Sequence, residues 1–263
     1  MNNLINIKKA IVQMAHYSKA SHVASCLSVV EILYVLYFKK MNIDPLDPQK
    51  YDRDKLILSK GHSSAALYAV LAEKGYFSKE YLGKYYVDNG ILPGHLDKNS
   101  VPGVEVSTGS LGHGLSIGLG MAIANRYNKN SGRIYVILGD GECNEGSVWE
   151  AVMLAATQKL DNLTVIVDYN QFQAFGRTNE IIDQRNMSDR WRTFGWEAYE
   201  VNGHNVNQLE DVFNKAQAGP KVIVAHTTKG KGVSFMENRL EWHYKSPNNE
   251  QCEIAMRELD GGQ

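Results

Sequence analysis

The chain has 263 residues, 43% hydrophobic, 22% charged and 10% aromatic, with a formal net charge of −1. That length suits one large α/β domain with a well-buried core, and the near-neutral balance leaves no basic footprint for nucleic acid or an acidic membrane surface. Cys26, Cys143 and Cys252 are scattered and odd in number, which argues against a disulfide scaffold or zinc site; with no long apolar run at the amino terminus, the expected location is cytoplasmic.

Leu4, Ile7, Ile11, Met14 and Ala15 recur at helical spacing and predict a helix over 4–18. The polar, small-residue connection SKASHVASCLS follows and carries His22; a loop histidine is more often structural than functional. Apolar positions are so dense over 28–39 that a helix there must be buried on most faces. NIDPLDPQKYDRDK, with two prolines and four aspartates, reads as a loop, and 55–59 as a short strand. Gly61 and His62 sit where that strand turns into a helix over 62–74, and such a turn offers backbone N–H groups to an anion. From Gly90 to Gly114 the chain is long, irregular and rich in glycine and proline, as functional or disordered connections are. It contains His95 and leads into a helix over 115–127, where Gly118 and Gly120 permit close packing.

The runs 134–138 and 163–167 are short, apolar and β-branched, and read as central parallel strands. Val148, Val152, Ala155 and Ala156 recur at helical spacing over 145–159, which supplies the crossover that parallel strands need. Ligands of open α/β sheets sit beyond the strands' carboxyl ends, where Gly139-Asp140-Gly141 and Asp168-Tyr169-Asn170 fall. Asp140 offers a hard anionic oxygen and Asn170 an amide oxygen, a set that suits Mg²⁺ completed by phosphate and water, with Ca²⁺ or Mn²⁺ as substitutes. Gly141 and its neighbour leave room for a polyphosphate against the backbone. The alternative is that both are ordinary turn residues. A helix over 186–194, a strand over 196–201, a helix over 206–218 and a strand over 221–226 follow. The glycines and two lysines of TTKGKG then suggest a mobile loop beside an anion, or a plain solvated one, and 249–259 reads as a closing helix. The whole, residues 1–263, is expected to be one domain: a doubly wound, mostly parallel α/β sheet with helices on both faces. A nicotinamide-binding domain shares that architecture, but its GxGxxG is missing after the first strand, which ends in SKGHSS.

GDG followed after 28 residues by Asn170, with LSKGHSS, LPGHLD, GVEVSTGSLGHGLSIGLGMAIA and TTKGKG in the same order, resembles the transketolase family over nearly the whole chain. It resembles only that family's amino-terminal, diphosphate-binding domain. The resemblance implies thiamine diphosphate and Mg²⁺ as cofactors, with the metal on Asp140, Asn170 and the backbone carbonyl of Phe172. It places Gly109, Ser110, Leu111 and Gly141 along the cofactor and His22, His62, His95 and His243 around the reacting atoms, His62 and His243 also touching the cofactor. Glu145 matches a family acid at the subunit interface; a helix-start carboxylate is the equal alternative. Two departures, Ser110 for the usual proline and His113 for the usual glutamine, lie beside the cofactor and bear on substrate preference.

The implied reaction is transfer of a two-carbon ketol unit between sugars, usually phosphorylated, with the cofactor carrying the carbanion chemistry. The family's cofactor-activating glutamate and most sugar-phosphate contacts lie on a pyrimidine-binding domain without counterpart here. The expectation is therefore a partner subunit with pyrimidine-binding and carboxyl-terminal domains in an α₂β₂ assembly. The alternatives are a structural module, a regulatory subunit, or part of a deoxyxylulose-phosphate synthase-like or 2-oxoacid dehydrogenase-like enzyme.

Overall fold

Five apolar runs form one sheet: β1 (Lys55–Leu58), β2 (Ile134–Gly139), β3 (Leu163–Tyr169), β4 (Glu197–Asn202) and β5 (Lys221–His226). Their order is β1-β2-β3-β5-β4 and every pairing is parallel. The structure, a computed structural model, describes residues 2–261. β2 and β3 are buried at every position, which is why their sequences run apolar without alternating. Their side chains still alternate between two cores. Tyr135, Ile137 and Ile166 enter one, while Ile134, Val136, Leu138, Val165 and Val167 enter the other.

The first core is covered by α1 (Asn2–Ser18), α2 (Val23–Leu27), α3 (Val30–Val35) and α4 (Ser64–Lys74). The opposite one is covered by α5 (His113–Tyr127), α6 (Gly146–Thr157) and, after the short α7 (Thr178–Ile181), by α8 (Met187–Thr193). The chain then returns to the first face with α9 (Val206–Asn214) and α10 (Asn249–Gly261). Helices thus lie on both faces, and the sheet is wholly parallel among the described residues. No helix there is long and apolar enough to cross a membrane.

Some predicted elements differ. The connection after α1 ends at His22, not Leu27, because Val23–Leu27 is fully buried and can satisfy its backbone only by becoming helical. The helix expected over 28–39 is α3 followed by a wider π turn over Leu36–Lys40. The helix expected to reach 218 stops at Asn214, since Pro220 forces an extended approach to β5. One helix end follows from a glycine. Gly75 takes φ 94° after α4, and the N–H groups of Gly75 and Tyr76 return to Leu71 O at 3.1 and 3.0 Å.

Candidate active site

All five strands point the same way, so the segments after β1, β2, β3 and β5 converge on one edge. Asp168, at the end of β3, is fully buried and accepts from Lys60, from Ser28 Oγ at 2.7 Å, from Thr227 Oγ1 and from Asn170 Nδ2 at 3.2 Å. Burial pushes its carboxyl up, but the Lys60 ammonium outweighs that and holds it below its ordinary value. A carboxylate cannot donate, so Asn170 must turn its Nδ2 to Asp168 and its Oδ1 away, where Oδ1 accepts from Phe172 N at 3.1 Å. The amide oxygen is thereby aimed by a buried ion pair.

Asp140 ends β2 beside it and is 2% exposed. Its Oδ1 accepts from Gly141 N at 2.7 Å, and its Oδ2 from Gln171 N at 2.6 Å and Thr178 Oγ1 at 3.1 Å. No cation among the described residues pairs with it, and burial together with the Asp168 charge pushes its carboxyl up to about 7. Glu142, two residues on, joins three segments. It accepts from Ser59 Oγ, from Gly112 N at 2.9 Å and from Gly139 N at 3.0 Å, pinning the 109–114 loop to the turn after β2.

Four histidines face the same cavity of about 400 Å³. His22 is central, with ring centroids 5.2 Å from His62, 5.0 Å from His243 and 6.3 Å from His95. It occupies the left-handed region at φ 68°, a strained place for an imidazole, held by its N–H on His243 O at 2.9 Å and by Ser21 Oγ at 2.8 Å from Nδ1. Burial, then the His95 and Lys229 charges, lower His22 to about 4; burial and Lys229 lower His243 to about 3; burial and Lys60 take His62 well below its ordinary value. All three are neutral imidazoles at pH 7. Lys229 is fully buried and meets His243 Nδ1 at 2.7 Å, so Nδ1 accepts and the ring proton sits on Nε2. Lys229 has no carboxylate partner among the described residues, and burial followed by the Lys60 charge lowers it to about 8.

The cavity therefore holds an unpaired carboxylate at one wall and has an unpaired ammonium behind another. A divalent cation and a polyanion together fit that donor set. A groove of about 480 Å³ lined by Lys9, Met14, Tyr17, Glu73 and Tyr85 differs, because Lys9 pairs with Asp260 and Glu73 with Lys79.

His22, His62, His95, Gly109, Leu111, Asp140, Gly141, Glu145, Asn170, Phe172 and His243 all line this cavity. Ser110 is exposed next to it, its Oγ 3.3 Å from His113 Nδ1. Glu145 stands exposed at the start of α6, with no side-chain capping bond. Lys60, Glu142, Asp168, Thr178, Thr227 and Lys229 carry no individual signal in the sequence that marks them for the site. TTKGKG does signal an anion site, but its lysines diverge: Lys229 is buried, whereas Lys231 lies near the surface 3.2 Å from Glu237.

Residues 2–259 match the family described as transketolase, thiamine diphosphate binding domain. Among similar proteins is one of the two apulose-4-phosphate transketolase chains named as a subunit in Phocaeicola vulgatus and Actinobacillus succinogenes; the former is 42% identical over 96% of this chain and 90% of its own. A 6-deoxy-6-sulfo-D-fructose transketolase subunit of a Clostridium species is also 42% identical, over 91% of this chain and 88% of its own. The transketolase of Pichia stipitis, solved as a crystal structure, superposes with a TM-score of 0.91 at 27% identity, covering 98% of this chain and 40% of that one.

Proposed function

The chain belongs to the transketolase family, as its thiamine diphosphate-binding domain, and from that membership we propose that it is one subunit of a two-chain, cytoplasmic transketolase that moves a two-carbon ketol unit from a ketose to an aldose. The observation that carries this reading is the pair of unanswered buried charges, Asp140 and Lys229, at one cavity. Mg²⁺ with a diphosphate supplies both missing partners at once. Asp140, Asn170 and the Phe172 carbonyl would hold the metal, leaving positions for phosphate and water. Lys229 and the N–H groups of the turn at Gly61 would offset the phosphate charge, with Gly109, Ser110 and Leu111 along the cofactor.

Thiamine diphosphate, when bound, supplies the carbanion chemistry that side chains lack. The imidazoles manage protons. His243 presents Nε2–H as a donor, fixed by Lys229 on its other nitrogen, and His22 keeps Nε2 free because Ser21 engages Nδ1. A neutral imidazole donates a hydrogen bond to a developing alkoxide or exchanges a proton with a sugar hydroxyl, worth roughly 10²- to 10⁴-fold per positioned group. His62 and His95 complete the ring around the reacting atoms.

The two bacterial relatives are named as subunits of transketolases for apulose-4-phosphate and 6-deoxy-6-sulfo-D-fructose, and we take the substrate here to be a ketose with a phosphate or comparable anionic tail. This chain covers 40% of the Pichia stipitis enzyme, so the partner would supply the pyrimidine-binding and carboxyl-terminal domains, in an α₂β₂ arrangement. Leu111, Phe175 and Tyr244 are 37%, 87% and 62% exposed at the cavity mouth, an apolar rim suited to such a partner. Calorimetric titration of Mg²⁺ and thiamine diphosphate into the two-chain complex tests the site. Asp140→Asn is expected to weaken binding by about 100-fold or more, near 3 kcal/mol; equal binding by the variant would remove Asp140 from the metal.

A further inference from the structure

Behind the site lies a second buried polar cluster. Glu31 of α3 is 6% exposed; its Oε1 pairs with Lys8 Nζ at 2.6 Å and its Oε2 meets His204 Nδ1 at 3.0 Å. On the other side of the ring, the backbone N–H of Thr228 donates to His204 Nε2 at 2.7 Å. A backbone amide only donates, so Nε2 accepts, the ring proton sits on Nδ1, and Glu31 receives it. His204 is thus a neutral imidazole in one tautomer, clamped between a carboxylate and the main chain. The turn that carries it presses on the same segment: Gly203 N donates to His226 O at 2.8 Å, and a Cβ on Gly203 would stand 2.4 Å from Thr227 Cγ2.

The segment so held is 227–230, and its other anchors all face the cavity. Thr227 donates to Asp168, Lys229 donates to His243 Nδ1 at 2.7 Å, and Gly230 N donates to Ala24 O at 2.9 Å, beside His22. Thr228 alone is tied from behind. Apolar residues of equal volume stabilise a core as well as a buried ionic cluster does, so stability gives no reason for Lys8, Glu31 and His204 here. What apolar packing lacks is direction. Only an acceptor at the place of Nε2 fixes where the Thr228 amide lies, and with it the facing of the residues on either side.

We propose that His204, oriented by Glu31 and Lys8, is a positioning residue that holds Thr227 and Lys229 toward the cavity without touching cofactor or sugar; this rests on reading the cavity as a diphosphate site. The test compares the two-chain complex carrying wild type, His204→Phe, His204→Asn and His204→Gln. Phe keeps the ring's bulk with neither bond, Asn reaches Glu31 but not Thr228, and Gln places a donor and an acceptor at the ring's far end. Hydrogen exchange at residues 227–230 without ligand and calorimetric affinity for Mg²⁺–thiamine diphosphate are measured, with the sugar KM at saturating cofactor. In the Phe and Asn variants the Thr228 amide is expected to exchange at least about 10-fold faster and affinity to fall about 10- to 100-fold, the range seen for outer-shell partners, with the sugar KM unchanged and most of both restored by Gln. Unchanged exchange, faster exchange with unchanged affinity, or a Gln variant no better than Phe overturns the proposal in favour of simple packing. If Phe does not fold, Asn against Gln decides. Failure of the wild type to bind cofactor would instead sink the diphosphate reading, and the exchange data would still decide whether His204 fixes the segment.

Discussion

Two buried charges at one cavity, the Asp140 carboxylate and the Lys229 ammonium, are held out of water without partners of opposite sign, and each destabilises the fold unless a ligand answers it. Lys229→Met removes one of them at similar volume. It should raise stability by roughly 1–3 kcal/mol in a denaturant titration while lowering affinity for the diphosphate. A variant that loses both stability and binding would assign Lys229 to the core. The histidines make a separate prediction. His22 and His243 sit at about 4 and about 3 in the folded chain against 6.5 in an unfolded one, so the unfolded state takes up protons first as pH falls below 6.5. Stability from these groups is complete above pH 6.5 and is lost toward pH 4 and below, at up to about 1.4 kcal/mol per pH unit for each. Asp140 acts in the opposite sense, because a raised carboxyl binds its proton in the folded state first. A difference measurement cancels it: the stability of His22→Asn relative to wild type should improve as pH drops from 6.5 to 4. A pH-independent difference would mean that His22 titrates normally.

At the level of elements, the site depends on how closely the turn after β1 meets the long loop that carries His95. A Cβ on Gly61 would stand 2.7 Å from Gly109 N and from the carbonyl carbon of Thr108, both backbone atoms that cannot swing aside. Gly61→Ala should therefore destabilise by roughly 1–3 kcal/mol and weaken cofactor binding by displacing Gly109 and His95; thermal unfolding and calorimetry check the two halves. The strands and the crossover α6 are legible in the sequence because burial on both faces leaves a run of β-branched residues that little else explains. Asp140 and Asn170 are legible because strand ends define the ligand edge. Less visible is anything decided by a distant partner. Lys60 and Asp168 are 108 residues apart, and nothing local says they meet. Between Glu142 and Glu145, only the fold chooses: one turns inward to bind Gly112 and Gly139, the other faces solvent. Val23–Leu27 looks like a loop in sequence because its small residues lack an amphipathic pattern, a pattern that a helix buried on all sides does not need.

Across the whole molecule, the features left unanswered lie on one side. α5 and α6 pack together, begin beside the cavity at Leu111 and Glu145, and turn outward Ile117, Ile123, Tyr127, Met153 and Leu154, at 38%, 38%, 88%, 48% and 45% exposure. Ser116, Gly120 and Ala124 lie among them on α5, small enough to let another helix approach closely. A partner seated there would close the cavity and supply the groups this chain lacks. Ile117→Glu should abolish association with the partner, read by analytical ultracentrifugation, with little change in the isolated chain's unfolding temperature. The measurement that bears most directly on the two-subunit reading is a ketol-transfer assay with this chain alone, its partner alone and the two mixed, with thiamine diphosphate and Mg²⁺ present. Turnover is expected only in the mixture, and is lost in Asp140→Asn or when the metal is chelated. Robust transfer by this chain alone would contradict it.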